Sequence, residues 1–164
     1  MIGSKDGSLR GERLGPHDKQ QVTFITTNPD FVYATPFPSP RFGPKVVQRC
    51  VETIYKELYG RDLVVEEYGK PYPANFKFVK SSLETVAKRR NIKISNFYMI
   101  GDNPESDICG GNSAGWVTIL VKTGVFDEKA ATSRNGNDIN NPAKYVVDDF
   151  AAAISLIYRL EGLN

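Results

Sequence analysis

Three side chains in the second half of the sequence stand where they could handle a phosphate: Lys70, Asp102 and Asp107. Lys70 follows the apolar run Leu63-Val64-Val65 and the residues Glu66-Glu67-Tyr68, and is held between Gly69 and Pro71. Proline disfavours helical geometry in the residue before it, so the lysine is expected in an extended connection. Asp102 follows the apolar run Phe97-Tyr98-Met99-Ile100 and Gly101, and Asp107 comes five residues later. Thr123-Gly124 follows a third such run, Trp116 to Val121. In open α/β sheets, ligands bind outside the carboxyl ends of the strands. An ammonium, two carboxylates and a small-residue loop at one sheet edge are the donors of a magnesium–phosphate site. Magnesium takes hard oxygen ligands, usually one or two carboxylates with water and phosphate. The lysine neutralises a phosphoryl oxygen as a point charge. Taken singly, each residue has a plainer explanation. Asp102 caps a helix, Asp107 sits at a favourable helix N-terminus, and Lys70 is a solvated surface lysine.

The elements that must position these residues follow from spacing and turn chemistry. Val22 to Thr27 is a β-branched and aromatic run stopped by Asn28-Pro29-Asp30, so a strand is predicted. Residues 34–44 hold Pro36, Pro38, Pro40 and Pro44 and read as a stiff loop whose last proline starts a helix. That loop, with Phe37, Arg41 and Phe42, is either a rigid spacer or the lining of a substrate entrance. From Pro44 to Leu58, apolar Val47, Cys50/Val51, Ile54 and Leu58 recur at helical spacing, and Gly60 is the expected stop. Leu63 to Tyr68 is a short strand. A second amphipathic helix follows, with Phe76, Val79, Leu83 and Val86/Ala87 inward; Lys77, Lys80, Lys88, Arg89 and Arg90 form a solvated face or, as the alternative, a binding patch. Phe97 to Ile100 is a strand, Asn103-Pro104 caps and starts a short helix over 104–113, and Trp116 to Val121 is the next strand. Residues 127–143 read as a long surface loop, Tyr145 to Val147 as a last strand, and Asp148-Asp149 as the opening of a final helix carrying Ile154, Leu156, Ile157 and Leu160. Strands alternating with helices, each strand apolar on both faces, predict an α/β fold with a covered parallel sheet.

Composition narrows the function classes. Hydrophobic residues at 40% and charged residues at 24% are globular values. No apolar run approaches the roughly 20 residues of a membrane helix. A net charge of +2, with basic residues scattered, gives no footprint for nucleic acid. No secretory signal is visible, so an intracellular protein, cytoplasmic or organellar, is expected. Cys50, Cys109 and His17 are too few for a four-ligand zinc site. Cys50 reads as part of a helix's core face, Cys109 as a small buried group, and His17 as a bystander in a polar leader or exposed loop over residues 1–20. Thr26 and Thr27 end a strand and are explained by packing as well as by phosphate binding.

Together, Gly69-Lys70-Pro71, the segment from Phe97 through Gly101-Asp102-Asn103 to Ser106-Asp107-Ile108, Gly110-Gly111 to Trp116, and Thr123-Gly124-Val125 resemble the second half of a haloacid dehalogenase (HAD) superfamily phosphatase. The nearest likeness is to class IIA, the NagD-type phosphatases and the cat-eye-syndrome critical-region proteins. Phe24 to Asp30 is similar to a strand and turn of that class's cap domain, and Ser4-Lys5-Asp6-Gly7 to one of its cap loops. The resemblance implies residues 1–68 as a partial cap and 69–164 as the C-terminal part of a Rossmann-like core. It implies Mg²⁺-dependent phosphoryl transfer from a small phosphorylated substrate through a phosphoaspartate. Asp102 would ligate Mg²⁺, Asp107 would support the metal's water shell or the lysine, and Lys70 would pair with the nucleophile's carboxylate and the phosphate.

The family's Asp-x-Asp nucleophile is absent, since no two of the aspartates are two residues apart. Lys70 follows Asn28 by only 42 positions, too few for a class IIA cap of about 100 residues. Thr26 and Thr27 are therefore assigned to the cap, and the nucleophile is expected upstream of Met1. The expectation is a C-terminal portion of a phosphatase, with negligible activity alone. The alternative is a non-catalytic half-fold that binds a partner chain or associates with itself. Loss of the first core strands should expose a sheet edge and favour self-association.

Overall fold

The computed structural model describes residues 2–15, 18–33, 35–39, 41–126, 133–134 and 136–163. His17, Pro40 and the 127–132 part of the expected surface loop lie outside the described residues. The chain divides into two compact units, Met1–Gly69 and Lys70–Asn164.

In the first unit, β1 (Phe24–Thr26), β2 (Val32–Tyr33) and β3 (Arg41–Phe42) precede α1 (Pro44–Tyr59), and β4 (Val65–Glu67) follows it. β1 and β4 pair in parallel with Ile25 opposite Glu66, and β2 and β3 pair antiparallel. The proline-rich stretch thus ends in a two-residue strand before Pro44 opens the helix. Gly60 closes α1 at φ +67°, its N–H returning to the Lys56 carbonyl. The face of α1 turned to the core differs from the expected one. Tyr55 and Tyr59 pack with Leu14 and Leu63, and of the expected stripe Val51 packs against them, whereas Val47, Ile54 and Leu58 are 64%, 59% and 53% exposed, and Cys50 is exposed too. Two tyrosines bury more surface than the aliphatic stripe beside them. Lys45 and Gln48 can lie on the buried face because Glu67 accepts from both, Gln48 Nε2 at 3.0 Å. Nor is the start of the chain a free leader. Residues 3–14 fold back on themselves, with Lys5 N–H to Glu12 O and Leu14 N–H to Gly3 O both at 2.8 Å, and Leu14 is buried.

The second unit runs α2 (Pro73–Arg89), β5 (Tyr98–Gly101), a π-helical turn (Pro104–Ile108) continued by α3 (Cys109–Ser113), β6 (Val117–Val121), β7 (Ser133–Arg134), β8 (Asn137–Asp138), β9 (Tyr145–Val147) and α4 (Phe150–Leu160). β5, β6 and β9 form a parallel sheet in that order, with Ile100 opposite Ile119 and Ile119 opposite Tyr145. Alternation along β6 divides the core between the two faces. Ile119 and Val121 pack with Ala153 of α4, while Leu120 packs with Ile108, Phe126 and Ala143. Within the expected loop over 127–143, β7 and β8 make a short antiparallel pair. Asn137 then fastens the chain by bonding both backbone groups of Ala143, at 2.8 and 3.0 Å. On α2, Phe76 and Ala87 are buried, but Leu83 and Val86 are exposed. Asp149 caps α4 by accepting from the Ala152 N–H at 2.8 Å.

Candidate functional site

Lys70 and Asp107 meet in an ion pair, Lys70 Nζ donating to Asp107 Oδ1. The partners are unequally buried: the aspartate side chain is 3% exposed and the lysine side chain 43%. A carboxylate so far out of water needs its remaining oxygen satisfied. Asp107 Oδ2 accepts the Asn103 N–H at 3.1 Å. Both oxygens of Asp107 are thus engaged by the protein. The local chain is built for this contact. Asn103 Oδ1 caps the π turn through the Glu105 N–H at 3.0 Å, and the Asp107 N–H returns to the Asn103 carbonyl at 2.8 Å. Gly101, the last residue of β5, leaves the space that the Asp107 side chain fills; a Cβ there would overlap it.

Asp102 stands at the end of β5 in a different environment. Its Oδ2 accepts the Val125 N–H at 2.8 Å, from the loop that follows β6. That loop turns at Gly124, φ +84°, where a Cβ would lie 2.7 Å from Asp102 Cγ. Asp102 is half-buried, and among the described residues only its Oδ2 accepts a hydrogen bond from the protein, whereas both oxygens of Asp107 are engaged. Lys70, Asp102 and Asp107 all belong to the second unit, with the two aspartates joined through one strand end and one turn. Thr26 and Thr27 belong to the first unit, at the end of β1.

Two contributors have no signature in residue type: the Val125 amide that holds Asp102 and the Asn103 amide that holds Asp107. Only the glycines at 101 and 124 hint at them. Cys109 is partly rather than fully buried. Among the described residues, no group of three or more His, Cys, Asp or Glu side chains is placed to hold a metal ion.

The three-stranded parallel sheet with its helices gives the second unit an α/β, Rossmann-like architecture, and sequence comparison narrows it. The profile of the HAD-hydrolase-like family matches residues 67–153, which include all three site residues. The chain belongs to the HAD-like hydrolase family. It is 37% identical over 150 residues to a cardiolipin synthase (CMP-forming)/mitochondrial hydrolase fusion protein of Schizosaccharomyces pombe, a match covering 89% of this chain and 23% of that protein. It is 31% identical over 147 residues to a mitochondrial hydrolase of Saccharomyces cerevisiae, covering 77% of this chain and 42% of the relative. The chain therefore spans less than half the length of these relatives. A hypothetical protein from Pyrococcus horikoshii has a similar structure, with TM-score 0.52 and 20% identity over 82% of this chain and 44% of that one. That likeness is one of fold. No helix among the described residues is long and apolar enough to cross a membrane.

Proposed function

We propose that Lys70, Asp102 and Asp107 form the lysine-and-metal half of a magnesium-dependent phosphatase site of class IIA type, acting on a small phosphorylated substrate. The observation that carries this reading is the division between the two aspartates. Asp107 pairs with Lys70 and accepts from the Asn103 N–H, while Asp102 accepts from the Val125 N–H through Oδ2 alone among the described residues, so its Oδ1 is the proposed metal ligand. The donor set suits Mg²⁺, which binds through one or two carboxylates and keeps several waters and a phosphate oxygen. Bound there, magnesium would neutralise charge on the transferring phosphoryl group. The chain's own residues do the rest. Asp107 holds Lys70 so that its half-exposed ammonium can screen an incoming phosphate dianion from an attacking carboxylate. Val125 N–H fixes the rotamer of Asp102. Residues 1–68 would be part of the cap. The attacking group is not among these residues, because the sequence has no Asp-x-Asp; turnover by this chain alone is expected to be negligible. The names of the two fungal relatives favour an organellar setting.

The test uses Mn²⁺ as a paramagnetic stand-in for Mg²⁺. Amide signals of residues 101–103 and 124–125 should broaden on titration, and Asp102→Asn should remove the effect. Broadening that is centred elsewhere, or unchanged in Asp102→Asn, overturns the assignment. With Mg²⁺ and p-nitrophenyl phosphate the chain should be inactive. Turnover abolished by Asp102→Ala would overturn that expectation.

A further inference from the structure

A cleft of about 250 Å³ opens between α2 and α3, lined by Phe76, Lys77 and Lys80 on one side and by Gly110, Ala114 and Trp116 on the other. None of its lining residues belongs to the Lys70–Asp102–Asp107 set. We propose that this cleft binds a small aromatic carboxylate.

Its walls are fixed aromatic rings. Trp116 meets Phe76 edge-on, centroids 5.3 Å apart at 78°, and stacks on Phe97 at 5.2 Å and 20°. Phe76 is buried and rests against Gly110, where a Cβ would overlap its ring and lie 3.1 Å from Pro71 Cα. The opposite wall is kept low by Gly110 and Ala114. A site of these dimensions suits one ring and a substituent, since a cavity of about 150 Å³ accommodates benzene. Charge selects the substituent. Lys77 and Lys80 are one turn apart on α2, where i and i+3 side chains lie side by side. No carboxylate is among the residues lining the cleft. Among the described residues neither lysine is in an ion pair. Lys80 Nζ instead lies 5.7 Å from the Phe97 ring centroid. A neutral aromatic would leave Lys77 to water and Lys80 to water and the Phe97 ring, and a bare phosphate would leave the rings unused. A flat apolar body carrying one carboxylate uses both lysines and rings.

Trp116 is the only tryptophan in the chain, so its fluorescence reports occupancy directly. Phenylacetate is the probe, with phenylacetamide as its neutral isostere and acetate as the ringless control. Titrating the 164-residue chain with phenylacetate should give a saturable change. Phenylacetamide should bind about fivefold more weakly, as should phenylacetate to the Lys77→Gln/Lys80→Gln variant, the expected size for two exposed charge contacts. Acetate should give no saturation, and Ala114→Leu, which fills the cleft without altering charge, should abolish the phenylacetate response. Equal affinity for acid and amide, an unchanged affinity in the lysine variant, or no saturation with phenylacetate overturns the proposal. Asp102→Asn should leave phenylacetate binding intact, so this proposal and the magnesium–phosphate reading fail separately.

Discussion

Asp107 is the residue whose environment constrains the site most tightly. Removing a partner from a buried ion pair leaves an uncompensated charge and costs roughly 3–5 kcal/mol. Lys70 is 43% exposed, so water repays part of that loss, and Lys70→Met is expected to destabilise the second unit by about 2 kcal/mol. Asp107→Asn keeps an acceptor for the Asn103 N–H while removing the charge. The double variant Lys70→Met/Asp107→Asn should therefore be more stable than Lys70→Met alone. Urea midpoints of the wild type, both single variants and the double variant decide it; strict additivity would mean that the pair contributes nothing. At Asp102 the sensitive position is Gly124. Gly124→Ala must accept φ +84° and displace the carboxylate, for a strain of about 1–2 kcal/mol. Mn²⁺ broadening at residues 101–103 should weaken even under conditions where the variant remains folded. Lys70, Asp102 and Asp107 could be picked from the sequence because charged residues after apolar runs are conspicuous. The amides that orient the aspartates could not, because every residue but proline carries one.

At the scale of elements, α1 shows which part of a pattern can be read. Its start at Pro44 and stop at Gly60 follow from backbone chemistry written in two residues. Which side faces inward depends on competition between stripes about 100° apart on the helix: Val47, Cys50, Ile54 and Leu58 against Gln48, Tyr55 and Tyr59. The second stripe wins because Glu67, remote in sequence, accepts from Lys45 Nζ and Gln48 Nε2. A corresponding long-range tie joins β5 to the end of α4. Tyr98 Oη–H donates to Glu161 Oε1, which also accepts from Asn96 Nδ2 at 2.8 Å. The hydrogen bond to Glu161, helped by burial and the carboxylate's charge, pushes the Tyr98 phenol up to about 12. The hydrogen bonds from Tyr98 and then Asn96 hold Glu161 below the ordinary carboxylate value, with desolvation opposing. Glu161 therefore contributes stability above its unfolded value, lost as pH falls through the folded one. Tyr98 contributes below its unfolded value near ~10, lost as pH rises through about 12. Tyr98→Phe should lower the urea midpoint at neutral pH, and the deficit should shrink as acid protonates Glu161, below the ordinary carboxylate range. A deficit independent of pH would place the contribution in ring packing instead.

For the whole molecule, the two units raise the same question of what covers their surfaces. Parallel strands are normally buried on both faces. The first unit nevertheless has a two-stranded parallel sheet with Ile25 58% exposed, beside β3 with Phe42 79% exposed. The exposed stripe of α1, Val47, Ile54 and Leu58, adds to that apolar surface. In the second unit, β5 has β6 as its one strand neighbour among the described residues. Open strand edges and contiguous apolar surface are both routes to pairing with another chain. A second copy is the partner always present in a purified sample, so concentration-dependent self-association is expected, with the α1 stripe contributing. Light scattering across a dilution series should show a mass that rises with concentration. Ile54→Glu/Leu58→Lys, on a solvent-facing stripe away from Leu14, Tyr55 and Tyr59, should lower that mass without changing the unfolding transition. A monomer at every concentration would remove the proposal. An unchanged mass in the double variant would take α1 out of the contact and leave association to the strand edges.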